Sequence, residues 1–360
     1  MKNRYLLLVF FLLSIAITKA QNNMGHTDNW NGVHSLSFNP AEAVDSRFVF
    51  HMNVVSFGTT MSNNYLGIKR TALFKDRDIA FDDPDFSDNY LVERLNGRKK
   101  NVYQSLEASA LPSFIANVGK GKKFMIGFNY RVRTNVNANG VDEDLARMSF
   151  KELKLADLYN VGIQNKNFSL QANVWNEFGF SFGMPVLNTG KHFVTAAGTF
   201  KVNQGLADAY FYSKNLDVTF PNDSMVSVNN SDIKFGYSSL LSNGTNFEWQ
   251  DFFKGGGYGV GFDLGAVWEF RPNIDDYKYE LDGNPDYLDP RKEKYKLKVG
   301  LGVVDMGFTK YKRSNGVYGE YYADRQNIDI EDHFGAAFDD FENTGLSNFQ
   351  DTLASLFIET

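Results

Sequence analysis

Apolar and polar residues alternate along residues 255–272, which have the sequence GGGYGVGFDLGAVWEFRP. Every second residue from Tyr258 to Phe270 is apolar, and aromatic residues stand at both ends of this set. Apart from Val267, the intervening positions hold glycine and charged residues. Because successive side chains of a β-strand point to opposite faces, this period of two predicts one long strand with an apolar face and a polar face.

The same alternation recurs elsewhere in the chain. It is clear in residues 124–133 and again in residues 168–174, 178–184, 193–202 and 295–303. Tilted strands of about 9–11 residues with an apolar face are typical of membrane barrels, whereas strands of soluble sandwiches have about 5–6 residues. The pattern therefore predicts an all-β fold, a transmembrane antiparallel β-barrel of the FadL-like or PorV-like kind discussed below. A secreted β-sandwich is the alternative.

The two ends of the chain have a different character. Residues 1–20 are predicted to be a signal peptide, in which Lys2 and Arg4 precede an apolar core and cleavage falls before Gln21. Residues 21–345 are predicted to form the barrel, with a plug-like segment at its N-terminal end. In residues 346–360 apolar side chains fall at helical spacing, which predicts an amphipathic helix over a barrel mouth or in the membrane interface. The chain lacks a final strand with a terminal aromatic residue. Either the barrel closes unusually or the chain is a fragment of a longer protein, and we expect a truncated chain with an incomplete barrel.

Composition and charge exclude several kinds of function. The 360 residues include no Cys, so disulfides, thiol catalysis and thiolate metal sites are absent. The formal net charge of -6, without a dense basic stripe, argues against a nucleic-acid partner.

Motifs for catalysis or cofactor binding are scarce. Residues 282–293 have the acidic spacing of a calcium loop, but Tyr287 stands where the tight turn needs glycine. An acidic loop is therefore the favoured interpretation. The five His residues are scattered and lack metal-site spacing. The sequence predicts no enzyme, no cofactor and no metal site.

Polar residues opposite the apolar sets are predicted to point into the barrel, because Lys or Arg facing lipid costs about 2–4 kcal/mol at the membrane midplane. The candidates for ligand contact in the lumen are Asn129, Arg131, Arg133, Asp263, Glu269 and Arg271. A wider set of lumen residues adds Lys201, Lys296, Lys298 and Asp305. Two interpretations remain open: a packed, salt-bridged interior, which is favoured, or a polar path for solutes.

Several stretches, taken in order, resemble an outer-membrane β-barrel family of Bacteroidota of unknown function. They are Asn39-Pro40-Ala41 with residues 44–47, then residues 63–66, 197–205, 257–272 and 298–311. The Asn39-Pro40-Ala41 motif is also similar to FadL-like fatty-acid transporters and to PorV-like proteins of type IX secretion. Some members look like fusions to an OmpA-like peptidoglycan-binding domain, which nothing in this sequence matches.

The resemblance implies export to the bacterial outer membrane, contact with its lipid, and a role without catalysis. One hypothesis is a FadL-like uptake channel for a hydrophobic or small ligand, with Asn39, Pro40 and Ala41 near a plug. The alternative is a structural or scaffold barrel for envelope integrity or type IX secretion, with an envelope or secretion protein as partner. A ligand in the lumen would favour the first hypothesis, and a filled interior would count against it.

Overall fold

The computed structural model describes residues 29–70, 89–109, 111–119, 124–241, 256–281, 284–289, 292–313, 318–335 and 344–359. The predicted signal peptide, residues 1–20, lies outside this part of the chain. The strands are β1 (Phe50–Asn53), β2 (Ser56–Asn63), β3 (Leu66–Ile68), β4 (Leu91–Glu93), β5 (Lys100–Ser109), β6 (Ser113–Val118), β7 (Phe124–Val141), β8 (Gly162–Asn188), β9 (His192–Thr219), β10 (Met225–Tyr237), β11 (Gly257–Phe270), β12 (Lys278–Leu281), β13 (Asn284–Leu288), β14 (Leu297–Thr309), β15 (Tyr318–Asp329) and β16 (Ile358–Glu359).

Helices are short and few among these residues. The α-helices are α1 (Glu143–Phe150) and α2 (Ser347–Leu356). Single helical turns of 3-10 or π type occupy Gly32–Ser37, Pro40–Ala43, Ala156–Leu158, Ser239–Leu241, Ile274–Tyr277 and Glu331–Gly335. None of the helices described is both long enough and apolar enough to span a membrane.

One large antiparallel sheet contains most of the strands, and the long strands β7, β8 and β9 run through its whole height. In what we call the lower half, the neighbours follow the order β1-β6-β7-β8-β9-β11-β14. In the upper half the order is β2-β5-β7-β8-β9-β10-β15-β16. The prediction of an all-β, antiparallel fold is confirmed.

Register in the lower half brings the apolar sets of neighbouring strands side by side. Phe128 pairs with Phe180, Phe180 with Phe200, and Phe200 with Phe262. A tight turn joins β8 to β9, with Gly190 at a φ of 79° and its N–H donating to the Asn188 side chain. Because the period along a strand is two, this register gives the lower half one continuous apolar face.

The sheet is open at its edges. Among the described residues no pairing joins β14 to β1 or to β2. Closure into a barrel and insertion into a membrane therefore stay predictions, and what the structure shows is a curled antiparallel sheet.

The C-terminal helix packs on the upper half. Helix α2 falls within the stretch predicted to be helical, but it ends at Leu356, and Ile358–Glu359 then pair with β15 as β16. Leu353 and Leu356 are buried in an apolar cluster with Phe235 and Tyr321. The sheet covers this apolar face, and the predicted position of the helix over a barrel mouth or in the membrane interface stays a prediction.

Candidate functional site: the inner face and the N-terminal segment

Residues 29–47, called the N-terminal segment here, pack against one face of the lower half, which we call the inner face. Leu36 and Val44 of the segment are buried with Ile115 of β6 and Met125 of β7. Each of these four side chains is at most 2% exposed. An irregular stretch is thus fixed on the sheet by a small core of its own.

Glycines on the inner face leave room for this segment. A Cβ built on Gly183 of β8 would lie 2.6 Å from Val44 Cγ2, and one on Gly302 of β14 would lie 3.0 Å from the carbonyl oxygen of Phe38. A Cβ on Gly265 of β11 would overlap Oδ1 of Asn39. The glycines found by alternation in the sequence therefore let the segment approach the strand backbones closely.

The Asn39-Pro40-Ala41 motif is the point at which the segment bonds to the sheet. Asn39 caps the helical turn Pro40–Ala43, and its Oδ1 accepts from the N–H of Ala41 at 3.0 Å. Its amide group donates to the carbonyl oxygens of Ala266 and Leu301 at 3.5 and 3.4 Å. The Thr195 hydroxyl donates to the carbonyl of Ala41 at 3.1 Å. The motif therefore joins the segment to β9, β11 and β14.

Ion pairs also attach the N-terminal segment to the end of β11 and to β14. Arg271 Nη2 lies 2.8 Å from Asp45 Oδ2 and 2.5 Å from Glu269 Oε2. Lys298 pairs with Glu42. Arg271 and Glu269 are 4% and 1% exposed. Loss of one partner from such a buried pair leaves an uncompensated charge, which is strongly destabilising.

A second set of ionic residues crosses the inner face beyond the N-terminal segment, and we call it the charged layer. Six neighbouring strands, β5, β7, β8, β9, β11 and β14, contribute to it. Its members, in strand order, are Glu107, Arg131 and Arg133, Glu177, Lys201, Asp263 and Asp305. Each cation contacts at least two carboxylates.

Distances in the charged layer show how strongly the sheet curls. Arg133 Nη1 on β7 lies 2.8 Å from Asp305 Oδ1 on β14, although β8, β9 and β11 separate these strands in the sheet. Lys201 Nζ lies 2.6 Å from Asp305 Oδ1 and 2.8 Å from Asp263 Oδ2. The layer therefore connects distant strands across the inner space.

A cavity of about 220 Å³ adjoins the charged layer. Its lining includes Arg133, Asn135, Trp175, Glu177, Lys201, Asn203, Asp305 and Thr309. The guanidinium of Arg133 lies 5.1 Å from the centre of a Trp175 ring. Met306, Phe308 and two glycines also line it, so its wall has charged groups beside apolar ones.

Five of the six predicted lumen residues divide between the two ionic groups. Arg131, Arg133 and Asp263 belong to the charged layer, whereas Glu269 and Arg271 hold the N-terminal segment. Asn129 is buried on β7 with its side chain against Gly179 of β8. Contact of these six residues with a ligand stays a prediction. Of the wider set, Lys201, Lys298 and Asp305 join these groups, and Lys296 is exposed.

Four carboxylates of these groups were not among the candidate residues that the sequence predicted: Glu42, Asp45, Glu107 and Glu177. Glu177 stands in the polar set opposite Phe178 and Phe180, so the alternation of residues 178–184 could have found it. Glu42 and Asp45 had no such signal. They lie in an irregular segment, and their partners Lys298 and Arg271 are more than 200 residues away in the chain.

The described residues contain no group of three or more His, Asp or Glu side chains placed to hold a metal ion. The calcium-like spacing of residues 282–293 lies partly outside the described chain.

Comparison with known proteins identifies the family. The model of the Family of unknown function (DUF5723) matches residues 40–357 of this chain. The chain belongs to that family. The match begins inside the Asn39-Pro40-Ala41 motif. It includes nearly all of the described sheet and helix α2. No curated protein and no solved structure matches this DUF5723 protein.

Proposed function

We propose that this DUF5723 protein is a non-catalytic β-barrel protein of the bacterial outer membrane, and that the lower half of the sheet crosses the lipid. The observation that supports this proposal most is the outward face of that half. It carries exposed apolar side chains on seven neighbouring strands, including Phe50, Ile126, Phe180, Phe200, Phe262 and Leu301. Such a continuous apolar surface is rare on soluble proteins and marks a contact with lipid or protein.

The height of the apolar face suits a membrane. On β11 it runs from Tyr258 to Phe270. At about 3.3 Å per residue and a tilt of about 40°, the twelve steps between these residues rise about 30 Å, enough to cross the apolar band of about 25 Å and to place an aromatic residue at each edge. The opposite face carries the charged layer, as expected for a polar interior.

We propose further that the interior is closed at rest and that the protein acts as a structural or scaffold barrel. The N-terminal segment is fixed by a buried core, by hydrogen bonds and by ion pairs, and the charged layer links β7 to β14 above it. A FadL-like channel for hydrophobic ligands is less well supported, because uptake would require the segment to move and charged side chains line part of the adjoining cavity.

The first test is electrophoresis of the full-length protein extracted from outer membranes, with and without boiling. A closed barrel stays folded in detergent, so the unboiled sample should migrate faster than the boiled one. Equal mobility together with recovery in the soluble periplasmic fraction would contradict the membrane proposal and favour a secreted sandwich.

A second test separates the scaffold from the channel. The purified protein is inserted into planar lipid bilayers, and conductance and fatty-acid transfer are measured. A closed scaffold should give neither, whereas steady conductance or saturable fatty-acid transfer would support the uptake hypothesis. Co-purification of an envelope or secretion protein from mildly solubilised membranes would support the scaffold.

A further inference from the structure

We propose that Arg47 and Lys294, at the lower end of the sheet, bind a small carboxylate anion. The site is separate from the charged layer, and it does not rest on the role of the protein in a membrane. Three observations on the described residues support it: the guanidinium group of Arg47 has no partner, a second buried cation lies near it, and two other arginines of this protein bind carboxylates through the same pair of nitrogens.

Arg47 is a buried arginine whose side chain lacks hydrogen bonds. It is the last residue of the N-terminal segment, where its backbone N–H donates to the carbonyl oxygen of Asn29 at 2.9 Å. The residue is 9% exposed. Its Nε and Nη2 atoms are buried, and neither has a hydrogen-bond partner among the described residues. Because a buried charged donor without a partner is costly, an anion that accepts from both nitrogens would be stabilising here.

Lys294 is a second buried cation near Arg47. It stands before β14 and is 7% exposed. Its ammonium group donates to the carbonyl oxygen of Lys292 at 3.3 Å, and it forms no ion pair within the described part of the chain. Burial lowers the pKa of Lys294 to about 8, and the next cause is the positive charge of Arg47, so the two cations lie close enough to repel each other. Such a pair favours an anion beside it.

The carboxylates that act on Lys294 are bound to another arginine. They are Asp45 and Glu269, and Arg271 Nη2 lies 2.8 Å from the first and 2.5 Å from the second. Among the described residues neither forms an ion pair with Arg47 or Lys294. This group thus has three cations and two anions, and its surplus positive charge lies on the two buried side chains that lack an ionic partner. One monovalent anion would balance it.

Two other arginines show which anion fits the unpartnered nitrogens of Arg47. Arg131 Nε donates to Glu177 Oε1 at 3.2 Å, and its Nη2 bonds to the same oxygen. Arg271 Nε donates to Glu269 Oε2 at 2.8 Å, and its Nη2 lies 2.5 Å from that oxygen. Nε and Nη2 present parallel N–H bonds, which match the planar geometry of a carboxylate. Because the same two atoms of Arg47 lack a partner, the geometry favours a carboxylate as the ligand.

The position and charge of the pair favour a small ligand. Both cations are buried, but their neighbours in the chain are closer to the surface: Phe48 is half-buried and Glu293 is exposed. A ligand of few atoms therefore has only a thin layer of side chains to pass. A carboxylate has one negative charge, which equals the surplus positive charge of the group, whereas a phosphate group carries about -1.5 to -2 at pH 7.

Saturation-transfer NMR of the full-length protein in detergent micelles, with sodium acetate as the ligand, tests the proposal. Acetamide is the matched neutral probe of the same shape, and sodium phosphate is the competing oxyanion. At pH 7 and constant ionic strength we expect saturable binding of acetate and none of acetamide, and phosphate should displace acetate only at higher concentration than unlabelled acetate does. Absence of saturable acetate binding, or tighter binding of phosphate than of acetate, would overturn the proposal.

Variants locate the site. Arg47→Lys keeps the positive charge but loses the parallel N–H pair, and it should weaken acetate binding about tenfold. Lys294→Gln should weaken binding several-fold, whereas the control Lys292→Gln changes an exposed lysine two residues away and should leave binding unchanged. Acetate should also raise the urea midpoint of the wild type more than that of Arg47→Lys, because a ligand stabilises only the folded state that binds it. Equal acetate affinity of the wild type and Arg47→Lys would refute the assignment, and circular dichroism shows that each variant is folded.

Discussion

At the scale of single residues, glycines on the inner face make room for the N-terminal segment because they have no side chain. Gly183, Gly265 and Gly302 stand where a Cβ would meet the N-terminal segment. The alternation in the sequence predicts that these glycines share the polar face of their strands, but it does not predict their contacts. The contacts depend on Phe38, Asn39 and Val44, whose irregular stretch has no period from which a partner can be read.

Gly265→Ala tests this arrangement. The added methyl group would overlap Asn39 Oδ1 and lie 3.1 Å from the backbone N of Ala41, so the motif must shift away from β11. We expect the free energy of unfolding to fall by about 2–3 kcal/mol, as in other overpacked interiors. Urea titration of the protein in detergent micelles measures it. Gly58→Ala is the control, because no described atom lies within 4 Å of its Cβ. Equal stability of the two variants would contradict the close packing.

Lys294 gives a prediction that depends on pH. Burial, with the positive charge of Arg47 as the next cause, lowers the pKa of Lys294 to about 8, against about 10.4 in an unfolded chain. Between these values the unfolded state binds more protons, so the contribution of Lys294 to stability rises with pH. Below about pH 8, Lys294 is charged in both the folded and the unfolded state. The full free-energy cost of burying this charge then lowers the stability of the folded protein.

Lys294→Met should therefore be more stable than the wild type at pH 7. We expect a difference of about 1 kcal/mol, since solvent screens part of the full effect. The difference should shrink towards zero as pH rises to about 10.5. Urea unfolding at both pH values measures it, with exposed Lys292→Met as the control. A difference that does not change with pH would contradict the prediction.

At the scale of elements, periodicity predicts the strands better than it predicts their ends. The alternations near residues 124–133, 193–202 and 255–272 all lie in strands of the lower half. The dipeptide Asn139-Gly140 is a common turn signal, but β7 continues through it to Val141. Gly140 has a φ of 71° there, and its N–H donates to the Asn101 side chain of β5. Pairing with a neighbouring strand thus overrides the local turn signal.

Helix α2 gives the prediction at this scale. Leu353 is 2% exposed and lies in the apolar cluster of the upper half. Leu353→Asp would bury a carboxylate among apolar side chains and should reduce the free energy of unfolding by about 3–5 kcal/mol. The exposed neighbour Ala354→Asp is the control and should cost about 1 kcal/mol or less. Chemical denaturation followed by tryptophan fluorescence distinguishes them. Similar losses would mean that the helix does not depend on this packing.

At the scale of the whole molecule, the sequence indicates which residues face inward but not which of them meet. Alternation placed Arg133 and Lys201 on polar faces. Asp305 continues the odd-numbered apolar set of residues 295–303, and it faces inward because the pairing of β11 with β14 shifts at this point. Their contact depends on how far the sheet curls between β7 and β14, and the curl follows from pairing over long separations in the chain. The alternation of residues along the chain carries no information about how strongly the sheet curls.

The charged layer should accordingly behave as one unit that stabilises the curled sheet. Lys201 is 2% exposed and contacts Glu177, Asp263 and Asp305. Lys201→Met leaves these carboxylates undercompensated and should cost about 3–5 kcal/mol of unfolding free energy. Asp263→Asn alone should also be costly, since it removes a partner of the buried ammonium.

The double variant Lys201→Met with Asp263→Asn distinguishes the attraction between these two side chains from a nonspecific loss of stability. It removes one cation and one anion together, so its loss should be smaller than the sum of the single losses by about 2 kcal/mol. The control cycle uses Lys234 Nζ and Glu320 Oε1, which lie 2.7 Å apart on the upper half of the sheet. Both of these side chains are partly exposed to solvent. Their coupling should be near zero, because water and salt screen exposed charges. If the inner pair were as weakly coupled as the exposed pair, the curl of the sheet would have to be held by apolar packing and strand pairing instead of by the charged layer.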